Sequence, residues 1–212
     1  MRTLLLTVSL VLLAGCSHGT KEPRYNGRTL SEWLVECEAA EKVGGTRETN
    51  AIDAICTIGS NAAPFLVKWI NVSSTTSERV VDFVGFTVGK PYTPPRLAKG
   101  SRAMRAFAIL GTNAAPAIPG LTNIVMQYKG LNEAAISARY ALVYIGPPGI
   151  AALSMLATNP LTPLRFDTVL ILGTSGRSGY GDEAKPALTC CLSDPDPKVR
   201  YAAQCGLAEI QR

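Results

Sequence analysis

A four-position pattern of side chains recurs along the chain, in the order small, small, large, large at positions i, i+3, i+4 and i+7. This spacing places the four side chains on one face of an α-helix, where small residues admit a neighbouring backbone and large ones fill a core. The pattern therefore predicts a set of helices that pack through equivalent faces. It occurs at Ala51/Ala54/Ile55/Ile58, Ala103/Ala106/Phe107/Leu110 and Ala138/Ala141/Leu142/Ile145, and more weakly at Arg165/Thr168/Val169/Leu172 and Ala203/Gly206/Leu207/Ile210.

Nearly the same six-residue phrase follows the first two of these helices, as Gly59–Pro64 and Gly111–Pro116. Glycine ends a helix readily because it adopts a left-handed conformation without a Cβ penalty. We expect Asn61 and Asn113 to cap the next helix, with the proline in its first turn. The phrase thus predicts a helix–turn–helix corner. The second helices are predicted from the apolar positions Ala63, Leu66, Val67, Ile70; Ala117, Ile118, Leu121, Ile124, Val125; Ile150, Leu153, Met155, Leu156; and Ala184, Ala187, Leu188, Cys191, Leu192.

Two stretches carry a family resemblance. Residues 194–210, which begin Asp-Pro-Asp-Pro-Lys-Val-Arg, resemble the first helix of a HEAT repeat, and Ala106–Leu121 resembles the bacterial, PBS-lyase-type variety of that repeat. The resemblance extends over about residues 47–210. It implies an all-α fold, an α-solenoid of about four to five HEAT-like helical pairs, and it identifies no ligand.

One further helix is predicted before the repeats. Its apolar face is Leu30, Trp33, Leu34 and Cys37, again at i, i+3, i+4 and i+7, and either Thr29 or Ser31 serves as its N-cap. The glycines at 44 and 45 are expected to end it. We interpret this helix as an N-terminal cap that covers one side of the first repeat.

The first residues are typical of an export signal. A basic start is followed by the apolar run Leu4–Leu13, which is shorter than the roughly 20 apolar residues of a membrane span. The run ends in Leu-Ala-Gly-Cys16, which resembles a bacterial lipobox and implies acylation of Cys16 after cleavage. We therefore predict a signal peptide at 1–15, a tether at 16–24 and the repeat domain at 25–212. The predicted address is the cell membrane or outer membrane, facing the periplasm or exterior.

The interval between Ile58 and Leu110 is longer than the others and contains an insertion at 73–99. Insertions in repeat proteins fall on one face, often the binding face. The prolines from Pro91 to Pro95 predict an extended segment that includes Arg96. An alternative is an elongated connector whose Phe83 and Phe86 pack into the core. The candidate binding surface predicted here is Phe86, Lys90, Tyr92, Arg96, Lys99 and Arg102.

The side chains available for catalysis are few. The single histidine, His18, lies in the tether, which argues against Ser-His or Cys-His catalysis. No motif of a dinucleotide, phosphate or zinc site occurs, and Gly173–Asp182 is interpreted as a flexible turn. A net charge of +5 without a block of like charges does not indicate a nucleic-acid partner. We expect no enzyme activity, no cofactor and no metal.

Five cysteines besides Cys16 leave at least one unpaired. All five adjoin apolar residues, which favours buried free thiols. Disulfides between Cys37 and Cys56, and between Cys205 and one of the pair Cys190 and Cys191, remain open in an oxidising compartment.

The leading hypothesis is a lipid-anchored, non-enzymatic interaction scaffold that binds another envelope protein. One alternative is a purely structural envelope lipoprotein without a discrete site. Another is a protein that binds an anionic envelope glycan or lipid through the basic insertion.

Overall fold

A computed structural model describes residues 21–41, 46–72, 95–130 and 132–211. These residues are almost entirely helical, with one small hairpin formed by β1 (Arg24–Tyr25) and β2 (Arg28–Thr29), which confirms the all-α prediction. The helices are α1 Leu30–Glu41, α2 Thr46–Ile58, α3 Ala63–Ile70, α4 Pro95–Leu110, α5 Ile118–Gln127, α6 Glu133–Ile145, α7 Pro147–Thr158, α8 Arg165–Gly173, α9 Gly181–Cys191 and α10 Pro197–Ile210. Short 3₁₀ helices occupy Gly59–Ala62, Gly111–Ala117 and Thr174–Ser178.

The helices lie in two layers. The first layer contains α2, α4, α6, α8 and α10, each in contact with the next, and α1 packs on α2 and α4. The second layer contains α3, α5, α7 and α9, again in contact in that order. From α5 onwards each helix also packs against its sequence neighbour in the other layer, and α3 packs on α4, so the core lies between the layers.

The recurring helix face lines this core. Its first three occurrences are buried at every position, with Phe107 fully enclosed, as predicted. In the weaker occurrences Thr168, Val169 and Leu172 are buried, whereas Arg165, Leu207 and Ile210 are partly exposed. Two second-helix positions are wrong, because Met155 is 73% exposed and Leu192, which follows the end of α9, is 36% exposed.

At the two corners, the prediction that glycine ends the first helix is confirmed, and the prediction that asparagine caps the second helix is wrong. Gly59 and Gly111 adopt left-handed φ values of +57° and +51°. After them the chain continues as a 3₁₀ helix, so the residues that precede α3 and α5 are Ala62 and Ala117, without a side-chain cap. Asn61 and Asn113 are exposed instead. The predicted caps are wrong because the 3₁₀ turn joins the two helices without the extended residue that an N-cap requires.

Gly173 has a different function from the other pattern glycines. Its φ is −60°, so it does not close the helix through a left-handed conformation. A Cβ placed on it would lie 2.5 Å from the Cα of Gly206, which shows that α8 and α10 approach backbone to backbone. The stretch that follows is also not the simple flexible turn that we expected. It forms a 3₁₀ helix against α10, where added Cβ atoms at Gly176 and Gly181 would meet Ile210.

The start of α1 confirms one of the two proposed caps. The Oγ1 of Thr29 accepts from the Glu32 amide at 3.3 Å, and Glu32 accepts from the Thr29 amide at 2.6 Å, a reciprocal capping box. The residues before the hairpin are docked too, because Leu30 donates to the Pro23 carbonyl and Ser31 donates to Glu22. The last residues of the predicted tether therefore belong to the folded unit. Helix α1 ends at Glu41, and the glycines at 44 and 45 lie outside the described residues.

The five cysteines of the described residues are unpaired. Cys37 and Cys191 are buried as expected, whereas Cys56 and Cys190 are exposed. Burial raises the pKa of the Cys191 thiol, which donates to the Ala157 carbonyl. Within the same ranges, none of the helices has the length and apolar character needed to cross a membrane.

Candidate functional site

The predicted binding surface is only partly within the described residues. Phe86, Lys90 and Tyr92 lie outside them, as do Phe83 and Cys16. Helix α4 begins at Pro95, so Arg96 is in a helical first turn and not in the extended segment that we predicted. Proline is well accommodated there, because the first helical position needs no amide donor.

Two cations of the predicted surface are engaged within the chain. The Nζ of Lys99 lies 5.4 Å from the centre of the Trp69 ring, in a cation–π contact. The Nε of Arg102 donates to Glu38 Oε2 at 2.7 Å. Arg102 therefore already has a carboxylate partner, and Lys99 has an aromatic one.

Positive charge in the first part of a helix opposes the helix dipole, and the contacts of α4 explain why it is present. Helix α1 directs a row of carboxylates towards α4. Beyond the Arg102–Glu38 pair, Arg105 pairs with Glu41 and, at 3.2 Å, with Glu48 of α2. Arg105 also donates to the Cys37 sulfur at 3.3 Å. These basic residues fasten α1 to the first layer.

A small cavity of about 260 Å³ lies where the chain leaves α3 and enters α4. Trp69, Leu97 and Met104 form its apolar wall, and Glu133 and Ser137 of α6 face it. Val72, the last described residue before position 95, also lines it.

A larger apolar groove runs between α5 and α7 on the second layer. Its volume is about 540 Å³, and no charged residue lines it in the part of the chain that the structure describes. Met155 is 73% exposed and Met126 is 37% exposed. We call this feature the methionine groove; its lining residues are Ile118, Pro119, Thr122, Met126, Ala152, Met155, Leu156 and Asn159.

The rotation of α7 places Met155 in the groove. Ile150, Leu153 and Leu156 face the core, and Met155 follows Leu153 by two residues, about 200° around the helix. The sequence reasoning missed the groove because it counted Met155 with the core face. The helical period alone predicts the exposure of Met155, since a residue two positions from a core leucine points away from the core.

The hairpin end of the molecule is held by charge and aromatic contacts. Arg28 lies over the Trp33 ring at 4.4 Å and also pairs with Glu36, which accepts from Arg47 as well. Hydrogen bonds from Arg28 and then Arg47 lower the pKa of the Glu36 carboxyl. The backbone amide and hydroxyl of Thr29 lower the pKa of Glu32 in the same way.

No cluster of three or more metal-ligating side chains occurs in the ranges described above. No family model and no curated protein matches this chain.

Proposed function

We propose that the chain is a HEAT-like α-solenoid that binds a segment of another envelope protein in its methionine groove. The two layers, in which each helix contacts the next of its own layer, support the repeat architecture. The recurring buried face and the repeated glycine corner support it as well. Stacked helical pairs of this kind bury a continuous core and leave extended surfaces for binding.

The proposed address rests on the sequence. A basic start, an apolar run and small residues before Cys16 are typical of a lipoprotein signal. Two or more acyl chains, at about 0.8 kcal/mol per buried CH₂, hold a protein stably on a membrane. The folded unit that starts near Glu22 would then lie close to the membrane surface.

The exposure of Met155 within an uncharged groove is the observation that carries the binding function. Methionine adapts its shape to different partners and is frequent at surfaces that bind amphipathic helices. The groove lies between two packed helices, so the occupant that we propose is the apolar face of a third helix, supplied by the partner. A charged segment is disfavoured because the groove offers no ion-pair partner.

The basic residues of α4 carry less weight in this proposal than the methionine groove does. Arg102 is held by Glu38 of α1 and Lys99 contacts Trp69 of α3, so substituting either one disturbs a contact within the fold as well as any external contact. Phe86, Lys90 and Tyr92 remain a prediction.

The test is site-specific photo-crosslinking in membranes of cells that produce the full chain. A photoreactive side chain at position 155 should capture one envelope protein, because the partner helix covers this position. The matched control is Leu170, an exposed apolar residue of α8 in the other layer. Position 170 should give no such product, and Met126→Glu should abolish the product at 155.

Three outcomes contradict the proposal. They are the absence of any product at 155, the same product from 155 and 170, and a product that Met126→Glu leaves unchanged. Deletion of 73–94, which leaves α4 intact, identifies the insertion as the recognition element if it alone removes the product. Cys16→Ala tests the address in the same preparation, since the chain and its product should leave the membrane fraction or persist as an uncleaved precursor.

A further inference from the structure

A second recess lies on the opposite layer, between α8 and the start of α10. It consists of two adjoining cavities of about 410 Å³ and 490 Å³, and Phe166 and Lys198 line both. These volumes fall in the range of small-molecule sites, roughly 300–1,000 Å³. We call this feature the α8–α10 cleft. The methionine groove shares no residue with it.

One side of the cleft is aromatic. Phe166 of α8 and Tyr201 of α10 line it together with Pro197, and Tyr201 is 62% exposed. A hydrogen bond with Cys205 raises the pKa of Tyr201, so the phenol carries its proton at neutral pH. The cleft therefore offers an aromatic wall, with Lys198 beside it, that is open to solvent.

The other side is polar and carries charges of both signs. Arg165 and Lys198 are basic, and Asp167 and Asp196 are acidic. Arg165 is fixed by Asp194, whose Oδ1 accepts from Nη2 at 2.5 Å in a pair that is only 13% and 10% exposed. This side therefore offers hydrogen-bond donors and acceptors close together.

The polar wall is rigidly supported from behind. Arg139 of α6 is fully buried, and it donates to the Pro163 carbonyl at 2.9 Å and to Thr168 Oγ1 at 2.8 Å. Burial lowers the pKa of Arg139, and Asp167 partly opposes this effect. The contact to Pro163 holds the linker next to Leu164, which adopts a left-handed φ of +49° that is uncommon for such a residue.

The same wall has unused hydrogen-bonding capacity. The Oγ1 of Thr162, a residue that is 5% exposed, has no partner in the described part of the chain, nor has the Nε of Arg165. Buried polar groups are usually satisfied, so such exceptions call for a reason. Strained linkers and unsatisfied groups concentrate at functional sites.

We propose that the α8–α10 cleft binds a neutral saccharide, with one sugar face on Phe166 and Tyr201 and the hydroxyls towards Asp167 and Lys198. A sugar has an apolar C–H face and a ring of hydroxyls that both donate and accept. The aromatic wall suits that face, and the mixed charges form strong hydrogen bonds with the hydroxyls without requiring a charged ligand. A purely apolar ligand is disfavoured because it would desolvate four charged groups. This inference does not depend on the proposed protein partner.

The experiment is saturation-transfer NMR on the full chain, solubilised in a detergent without a sugar headgroup. The probes are glucose, galactose, N-acetylglucosamine and their disaccharides, with glucuronate, glucosamine and glycine as anionic, cationic and zwitterionic comparators. We expect transfer to at least one neutral sugar and little to the charged comparators. Tyr201→Ala and Asp167→Asn should each weaken binding by about tenfold, while Tyr144→Ala, at an exposed tyrosine of α6 that lines neither cavity, should not change it.

Tyr201 is exposed, so its replacement should leave the helical circular dichroism and the melting temperature nearly unchanged. The proposal is overturned if no neutral sugar shows transfer. It is also overturned if only a charged comparator binds, because the ligand is then not a neutral sugar. Binding that survives both Tyr201→Ala and Asp167→Asn excludes the cleft as the site.

Discussion

The two ends of the folded unit join their helices by different means. At the N-terminal end, α1, α2 and α4 are linked across the surface by Glu36–Arg47, Glu38–Arg102 and Glu48–Arg105, with nitrogen–oxygen distances from 2.7 to 3.2 Å. At the C-terminal end, α8 and α10 meet backbone to backbone at Gly173 and Gly206, and the Arg165–Asp194 pair is largely buried.

The same helix-packing pattern is therefore held together by two kinds of contact between helices. We call the contacts among α1, α2 and α4 the N-terminal seam, and the contacts between α8 and α10 the C-terminal seam. Exposed ion pairs each contribute between roughly 0 and 1 kcal/mol, and salt screens them. A glycine contact tolerates no added atom, because densely packed interiors relax little. The C-terminal seam is therefore the rigid one, and it carries the α8–α10 cleft.

The largest expected effect comes from adding one carbon to the rigid seam. Gly173→Ala places a Cβ 2.5 Å from the Cα of Gly206, and backbone atoms cannot move aside as a side chain does. We expect the free energy of unfolding in urea to fall by about 3 kcal/mol.

The matched control for this substitution is Gly130→Ala, because a Cβ at Gly130 meets no atom of the described residues within 4 Å. It should change the stability by less than about 0.5 kcal/mol. Equal losses in the two variants would show that the glycine contact does not define the seam.

A smaller effect distinguishes the two kinds of ion pair. Arg165→Ala leaves Asp194 with little solvent and should cost about 2 kcal/mol, nearly independent of salt. Arg105→Ala removes partly exposed pairs and should cost about 1 kcal/mol or less in dilute buffer.

Salt provides the discriminating measurement for these two variants. In 1 M NaCl the Debye length is about 3 Å. The decrease in the free energy of unfolding caused by Arg105→Ala should therefore become smaller, until only the lost packing contacts contribute to it. The comparison between the seams fails if Arg165→Ala shows the greater salt dependence.

The smallest effect is a pH dependence confined to α1. The folded-state pKa values of Glu32 and Glu36 lie below their ordinary values. Their contribution is therefore complete above the ordinary carboxyl pKa and is lost as the pH falls through the lowered values. Hydrogen exchange from pH 5 to pH 3 should accelerate in α1 more than in α10, after correction for intrinsic rates.

Glu36→Gln is the control for this pH effect, since it removes one of the two titrating groups while keeping the size of the side chain. It should reduce the difference between α1 and α10. Uniform acceleration in both helices would indicate a global loss of stability and not a local one.

The sequence predicted the helices and most of their buried faces, because the period of 3.6 residues fixes which side chains share a face. It could not predict which helices contact each other. Gly173 looked like a helix terminator, and its contact with Gly206 depends on how α8 and α10 pack. Asn61 and Asn113 looked like caps because they follow a glycine, but the 3₁₀ turns keep the chain helical through the corner.

The candidate sites were harder to predict for the same reason. The methionine groove depends on the rotation of α7, which a count of apolar residues did not resolve. Phe166 and Tyr201 belong to different helices, so their side-by-side placement follows from packing. The predicted surface included Lys99 and Arg102 because they lie in or next to the insertion, and their partners Trp69 and Glu38 lie far away in the chain.

The attachment of α1 also has a consequence for the order of assembly. Glu38 and Arg102 are 64 residues apart in the chain, whereas Arg165 and Asp194 are 29 apart. Closing the longer loop costs only about 0.7 kcal/mol more in chain entropy, but folding rates fall as contacts become less local. The contacts among the C-terminal helices join residues that are closer in the chain, so we expect these helices to pack first. The N-terminal helices can then pack against them. We therefore expect the ion pairs between α1 and α4 to form after the C-terminal helices have packed.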